Sequence, residues 1–383
     1  MTPKVRILHI ETRHRRGGAE RNLLHTALWE ADRGYEVHVA LGPDSFLDEM
    51  PPSLTIHTIP SLRRAVSPVN DLRAYLQLKD LIRELRCDLV HTHQSKAGII
   101  GRMAARGQVG TVVHTVHMAS FGPAYRPASS HAFVRAERLC ARWTNLIVSV
   151  GEELRQMYLE AGIGTAERTV VIRSPIELDN FALIRGWGAS ERREARHALR
   201  LPIDGNIAVV VASLEPRKRV GLVLTELAPL LRSGQLTLAV AGDGPERGTL
   251  ERDSANLDVS DEVRFLGHVS DMPRLLGAAD VLVHASTVEG VPQVTIQAMA
   301  AGLPIVATEM IGIHEIPSSG IAVVPKSGAG LRETVLRMTS EAARLVPMED
   351  LAAWRSENID AALESMHRSV TRSSDQITTS ETK

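Results

Sequence analysis

The sequence predicts an α/β protein of two domains, each a parallel sheet covered by helices on both faces, and three observations carry that prediction. Its 383 residues exceed the size at which one hydrophobic core stops growing. Short β-branched runs alternate with longer stretches whose apolar residues recur at helical spacing. That rhythm runs through twice, and the join lies near residues 174–190, where Ser174-Pro175, Gly186 and Gly188 interrupt it. With 44% apolar and 23% charged residues the chain has the composition of an ordinary globular protein.

In the first half Val5–Ile10, Glu36–Leu41, Asp88–His93, Thr111–Val116 and Asn145–Val150 read as strands. Near-continuous apolar character marks them as strands buried on both faces, which is the habit of parallel sheets. Between them Ala19–Arg33, Val69–Arg86, Lys96–Arg106 and Ser129–Arg142 carry helical spacing. In the second half Ile207–Leu214, Leu236–Ala241, Val263–Leu266, Val281–His284, Pro304–Ala307 and Ile321–Val324 repeat the strand pattern, after a helix over Ser190–Arg200. The expected division is a first domain over 1–177, a second over 185–345, and a C-terminal helix over 346–367. The Ser- and Thr-rich segment 368–383 is expected to be a disordered tail. Sheets of this kind bind ligands beyond the carboxyl ends of their strands. Two such domains facing each other are expected to enclose a ligand cleft.

Bulk charge narrows the function. The 44 Lys and Arg residues against 45 Asp and Glu leave a net charge of −1, so the basic footprint of a nucleic-acid binder is missing. Cys87 and Cys140 stand apart without a CxxC spacing, which fits a reducing compartment and argues against a disulfide framework or a thiolate zinc site. No apolar run approaches the ~18–20 residues of a membrane span, and the N-terminal apolar run is too short for a signal sequence. A cytoplasmic protein is expected, with contact at the inner membrane face left open.

Four motifs at strand ends carry chemistry. Arg15-Arg16-Gly17-Gly18-Ala19-Glu20 follows the first strand. Paired glycines there let bare backbone N–H groups approach a phosphate at a helix N-terminus, although a tight turn explains the same residues. His91-Thr92-His93-Gln94-Ser95-Lys96 and His114-Thr115-Val116-His117 each end a strand. Histidines two apart on a strand share a face, but no acidic partner stands at a ligand-like spacing, so zinc is disfavoured. The favoured reading is that His93 or His117 meets a sugar hydroxyl, with His93 and Lys96 on the acceptor side.

The other two motifs lie in the second half. Glu215-Pro216-Arg217-Lys218-Arg219 places three consecutive cations at a strand end, able to neutralise a diphosphate as its charge grows. Gly242-Asp243-Gly244-Pro245-Glu246-Arg247 is a further glycine turn between strand and helix. In Glu289-Gly290-Val291-Pro292-Gln293-Val294-Thr295-Ile296-Gln297 a carboxylate precedes a helix whose N-terminus suits a phosphate. Glu289 could accept from sugar hydroxyls or simply cap the helix. No Asp-x-Asp ends a strand, so no metal is expected to bridge a diphosphate; Lys218, Arg217 and the helix dipole would stand in for it, and no cofactor is expected.

These residues together resemble the retaining glycosyltransferases of family 4, which have the two-Rossmann GT-B fold. The resemblance runs from about Lys4 to about Pro325. It rests on Gly17-Gly18-Ala19-Glu20, His91–Arg102, Gly242–Arg247, and Val263–Glu315 with Phe265-Leu266-Gly267, Ala298-Met299-Ala300-Ala301-Gly302-Leu303-Pro304 and Gly312-Ile313-His314-Glu315. His91–Arg102 and His114–His117 are similar to bacterial enzymes that build surface polysaccharides.

The resemblance implies a nucleotide-sugar donor, with UDP favoured, and a sugar, lipid-linked or small-molecule acceptor. Gly18 would lend its N–H to the diphosphate, alongside Gly17 and Gly244. Lys218, with Arg217, would hold that diphosphate. Glu289 would bind the donor sugar, and the backbone of Gly290, Val291, Pro292, Val294 and Thr295 would reach the sugar and distal phosphate. His117 would stand at the reaction centre. Three departures accompany the match. The second glutamate of the family signature is Gln297, so a hydrogen bond of ~1.5–3 kcal/mol to a charged partner falls toward ~0.5–1.5 kcal/mol. The arginine expected ahead of the lysine is Ser213, or Ala212 if the alignment shifts by one residue, and the linker reads Ser174-Pro175-Ile176-Glu177. These departures motivate a second reading, a catalytically weakened GT-B protein acting as a binding or regulatory partner. On the acceptor side, Arg135, Arg138 and Arg142 share one side of a helix, either as a solvated face or as a contact for an anionic membrane surface.

Overall fold

The computed structural model describes residues 4–15, 17–123, 125–340 and 345–380. The chain forms two compact units, Met1–Pro175 with Ser356–Lys383, and Ile176–Arg355.

The first unit holds a seven-stranded sheet. Its strands are β1 (Arg6–Glu11), β2 (Glu36–Leu41), β3 (Thr55–Thr58), β4 (Leu89–His93), β5 (Thr111–Val116), β6 (Leu146–Ser149) and β7 (Thr169–Val171). All pairings are parallel, in the order β3-β2-β1-β4-β5-β6-β7. Strand order reverses between β1 and β4, so their carboxyl ends form the switch point where ligands of such sheets bind. There His9 lies opposite His91 in register. The five expected strands are present; β3 and β7 are additional, β3 being a half-exposed edge strand with one apolar residue and β7 only three residues long.

The C-terminal helix expected over 346–367 instead runs Ser356–Ser380, behind a 3₁₀ segment at Met348–Trp354. Ile359, Leu363, Met366 and Val370 recur at helical spacing and bury against Ile7, Leu89 and Val113 of the first sheet and Trp29 of the helix Gly18–Asp32. Each such side chain contributes ~1.5–3 kcal/mol of burial, which explains why this distant segment belongs to the first unit. Helix therefore also occupies 368–380, where composition predicts a disordered tail; 381–383 lie outside the described residues.

The second unit holds six strands, β8 (Asn206–Val211), β9 (Leu236–Ala241), β10 (Val263–Gly267), β11 (Val281–His284), β12 (Ile305–Thr308) and β13 (Ile321–Val324), in the order β10-β9-β8-β11-β12-β13. Period-two geometry divides them between two cores. Ile207, Val209, Leu282, Ile305 and Ala307 enter one, while Ala208, Val210, Val281, Val283 and Val306 enter the other. The switch point falls between β8 and β11, the strands followed by the cationic cluster and by Glu289.

Candidate functional site

In the second unit the loop after β8 makes a single 3₁₀ turn, Pro216–Lys218, and ends at Arg219 in the left-handed region (φ 53°). Backbone pins it in place. Thr287 N–H donates to Arg217 O at 2.8 Å, joining the loops that follow β8 and β11. Lys218 Nζ then donates to Glu289 Oε1, and Arg217 Nη1 approaches the same oxygen at 3.4 Å. Arg217 Nε also bonds Glu215 Oε2 at 3.2 Å. Burial alone would raise the Glu289 carboxyl, but Lys218 and then Arg217 outweigh it and hold its pKa at about 2. Nearby His284 is pushed down to about 4 by burial and by Lys218, so its ring is neutral at pH 7. The structure thus gathers the adjacent Arg217 and Lys218 with Glu289, 71 positions beyond Lys218, into one charged group. Lysine has three donors and arginine five, so both can hold Glu289 and a further anion together.

Behind Glu289 the helix Gln293–Ala301 begins at Pro292. Thr295, expected to present its backbone to a ligand, is turned inward. It is fully buried, and both its N–H (3.0 Å) and its Oγ1 (2.6 Å) donate to Pro292 O. The helix closes on itself at that residue, which takes the Thr295 N–H away from any ligand, and the Val291 and Val294 side chains pack on the core. Gln297 is buried one turn further along. Gly244 serves the packing of the loop, since a Cβ there would sit 2.6 Å from Leu214 O, and Glu246 N–H bonds that carbonyl at 2.9 Å. The glycine turn braces the segment that leads into Arg217 and Lys218.

In the first unit Gly17 caps the helix Gly18–Asp32, and Arg16 lies outside the described residues. The Glu20 carboxyl folds back over Gly17, so a Cβ there would lie 2.3 Å from Glu20 Oε2. Glu11, at the end of β1, accepts from Gln94 Nε2 at 2.7 Å; Gln94 itself adopts φ 60°. Burial raises Glu11 to about 8, and burial with the neighbouring Glu11 raises Glu20 to about 7. The glycine loop is therefore flanked by two carboxyls held toward their neutral forms, which sequence did not single out.

This makes a stability prediction. Glu11 has a folded pKa above its unfolded one, so its contribution is fully present below pH ~4.5 and is lost as pH rises through about 8. Glu11→Gln keeps the acceptor for Gln94 and should be more stable than the parent at pH 8.5, on the order of several kcal/mol. The advantage should vanish below pH ~4.5, and urea titrations at pH 4.5, 6.5 and 8.5 would measure it. Equal stability across that range would mean the carboxyl ionises freely in the fold.

The histidines of β1, β4 and β5 converge. His9 Nδ1 lies 3.0 Å from His93 Nε2, and His93 Nδ1 lies 3.3 Å from His117 Nε2. His91 Nε2 bonds Thr115 Oγ1 at 2.7 Å, and His114 Nδ1 bonds Thr92 Oγ1 at 2.9 Å. Burial drives His91, His93 and His114 well below the usual histidine range, and lowers the half-buried His117 to about 4. All four rings are neutral at pH 7. His93, read from sequence as an acceptor contact, is corrected: it is completely buried and both ring nitrogens are taken by other histidines. Lys96 also turns into the protein, pairing with Asp71 at 2.5 Å and donating to Ala65 O.

Metal chemistry has one candidate among the described residues. His9, His91 and His93 bring ring nitrogens within 4.8 Å of one another, His9 being the third ligand the strand motifs lacked. The fit is poor. Their planes lie within 26–36° of parallel, so in-plane lone pairs do not converge. Two of the three nitrogens are also already bonded to each other.

Residues 16–180 match the family model described as Glycosyltransferase Family 4, and residues 205–341 match the one described as Glycosyl transferases group 1. The chain belongs to the family 4 glycosyltransferases, with the GT-B fold. It is 26% identical over 319 residues to the UDP-Gal:alpha-D-GlcNAc-diphosphoundecaprenol alpha-1,3-galactosyltransferase of Escherichia coli, covering 81% of this chain and 80% of that one. Among solved structures it resembles Anabaena Alr3699/HepE in complex with UDP and glucose (TM-score 0.77, 21% identity, 95% of this chain and 99% of that one). It also resembles the sucrose-phosphate synthase of Thermosynechococcus elongatus (TM-score 0.79, 19% identity, 97% and 100%).

Proposed function

We propose that this glycosyltransferase is retaining and metal-independent, and moves a hexose or N-acetylhexosamine from a UDP-sugar to an acceptor in polysaccharide, glycolipid or glycoside synthesis. The observation that carries the reading is the group of Lys218, Arg217 and Glu289 ahead of the helix Gln293–Ala301. Lys218 and Arg217 take the diphosphate, whose charge grows as the bond from the anomeric carbon to phosphate oxygen breaks. Glu289, held ionised, accepts from donor-sugar hydroxyls, and the backbone of Gly290, Val291 and Val294 meets the sugar and distal phosphate. Gln297 takes the place of the ribose-binding glutamate. In the first unit Gly18 N–H also serves the diphosphate, and His117 serves the reaction centre. The acceptor oxygen bonds the anomeric carbon on the face the diphosphate leaves, and its proton passes to the departing phosphate.

UDP is favoured by the UDP bound to the Anabaena protein and by the donor that the E. coli relative's name gives. That name also favours a lipid-linked acceptor. Such an acceptor would be met by peripheral contact; no helix among the described residues is long and apolar enough to cross a membrane. Arg138 Nε is engaged with Ala161 O at 2.6 Å, which gives Arg135, Arg142 and the exposed Leu139 the larger part of that contact.

A thermal-shift panel of UDP, GDP, ADP and dTDP with their common sugars, run in EDTA, tests the reading. Ligand at 100 times its dissociation constant adds ~2.7 kcal/mol. UDP compounds alone are expected to raise the melting temperature. A shift that needs a divalent ion would overturn metal independence. No shift with any nucleotide would favour the weakened, non-catalytic binding partner that Gln297 and Ser213 motivate.

A further inference from the structure

The histidine cluster continues past His9. Glu30, completely buried in the helix Gly18–Asp32, accepts from His9 Nε2 at 2.6 Å and from His367 Nε2 of the C-terminal helix at 3.0 Å. Four residues of the first unit are thus joined end to end: Glu30, His9, His93 and His117. Every link but the last is sealed from water. A neutral imidazole has one N–H and one lone pair, so in such a line the proton position of each ring dictates that of the next.

We infer that Glu30, His9 and His93 are positioning residues that hold the proton of His117 on Nε2 and leave Nδ1 as a hydrogen-bond acceptor. The anchor is the Glu30 carboxylate. Each of its oxygens takes a ring nitrogen, His9 Nε2 on one and His367 Nε2 on the other, and these hydrogen bonds favour the ionised form, so it only accepts. His9 therefore carries its proton on Nε2 and offers a lone pair at Nδ1. That lone pair requires N–H at His93 Nε2, which leaves His93 Nδ1 bare and in turn requires N–H at His117 Nε2. Among the described residues no hydrogen bond reaches His117 Nδ1.

A second proton on His9 would reverse the line and place the His117 proton on Nδ1. His9 is packed 5.0 and 5.3 Å from the neutral rings of His91 and His93. The other ring on Glu30, His367, lies 5.3 Å from both Trp29 and Tyr35, whose faces attract positive charge. An accepting Nδ1 suits a hydroxyl of donor or acceptor sugar. That consequence rests on the proposed role of His117, whereas the tautomer does not.

The test is ¹⁵N–¹H NMR of the full chain labelled at histidine, with assignments from single-residue variants. The parent is expected to show His117 as one tautomer, protonated at Nε2. Glu30→Gln can turn its amide N–H₂ toward His9, so His117 is expected to lose that single state. Turnover should then fall roughly tenfold, with the donor KM little changed. Should Glu30→Gln fail to fold, His93→Gln interrupts the same line and the parent spectrum still decides. A parent His117 protonated at Nδ1, or one indifferent to both substitutions, would overturn the inference. One equivalent of zinc in the purified chain would do so too, because it would occupy nitrogens the line needs. A fixed tautomer together with unchanged turnover in His117→Ala would sink only the role of His117 in the reaction.

Discussion

Lys218→Ala is expected to lower kcat/KM for the nucleotide-sugar by ~10²–10³-fold, the usual loss when a donor aimed at developing charge is removed. Lys218 does two jobs in this geometry. On the proposed function it would offer a cation to the diphosphate, and it is the principal group holding Glu289 ionised. Without it Glu289 keeps Arg217 at 3.4 Å and a neutral His284 at 3.9 Å, a much weaker pair for a buried carboxylate. If phosphate charge grows in the transition state, kcat should fall by more than KM rises. Steady-state kinetics with the donor found by the nucleotide panel, and calorimetric binding of UDP, would separate the two effects. A kcat/KM within threefold of the parent would remove Lys218 from the site. Lys218→Arg restores charge, though a planar guanidinium does not reproduce a point charge, so partial recovery is expected.

Arg102→Ala is expected to destabilise the first unit by ~3–5 kcal/mol, because it strands a buried carboxylate. Arg102 Nη2 meets Glu137 Oε2 at 2.6 Å, with both side chains fully buried, and Arg102 Nε donates to Gly98 O at 2.8 Å. Arg102 Nη1 and Glu137 Oε1 have no hydrogen-bond partner among the described residues, so even the intact pair is incompletely compensated. Glu137→Ala should cost a similar amount. The double replacement Arg102→Met with Glu137→Leu should come close to the parent or exceed it, since it removes both desolvation costs at once. Two units make the global transition an unsafe reference, so unfolding should be followed by a probe placed in the first unit. Single variants within about 0.5 kcal/mol of the parent would mean that water reaches this pair.

The sequence by itself determined the class and the repeat of the fold. Runs such as Ile207–Val211 and Leu236–Ala241 are apolar on both faces, and such strands have one stable use, a covered parallel sheet. It also determined which residues stand at strand ends, and therefore which ones could belong to a site: Gly17, His117, Lys218 and Glu289. Elements without a buried apolar run were not legible, hence the half-exposed β3, whose one apolar residue is Ile56, and the three-residue β7.

Strand order was likewise hidden, and only the tertiary structure decided it. The reversal between β8 and β11 carries Lys218 to Glu289 across 71 positions, and that between β1 and β4 carries His9 to His93 across 84. Glu30 reaches His367 across 337 positions because the C-terminal helix packs on the first sheet. The same burial that seals His93 away from any acceptor lifts Glu11 and Glu20 toward neutrality. Periodicity records how each residue partitions between core and water, a local property. Charge state and hydrogen-bond partner depend on which distant segments pack together, which no local pattern encodes.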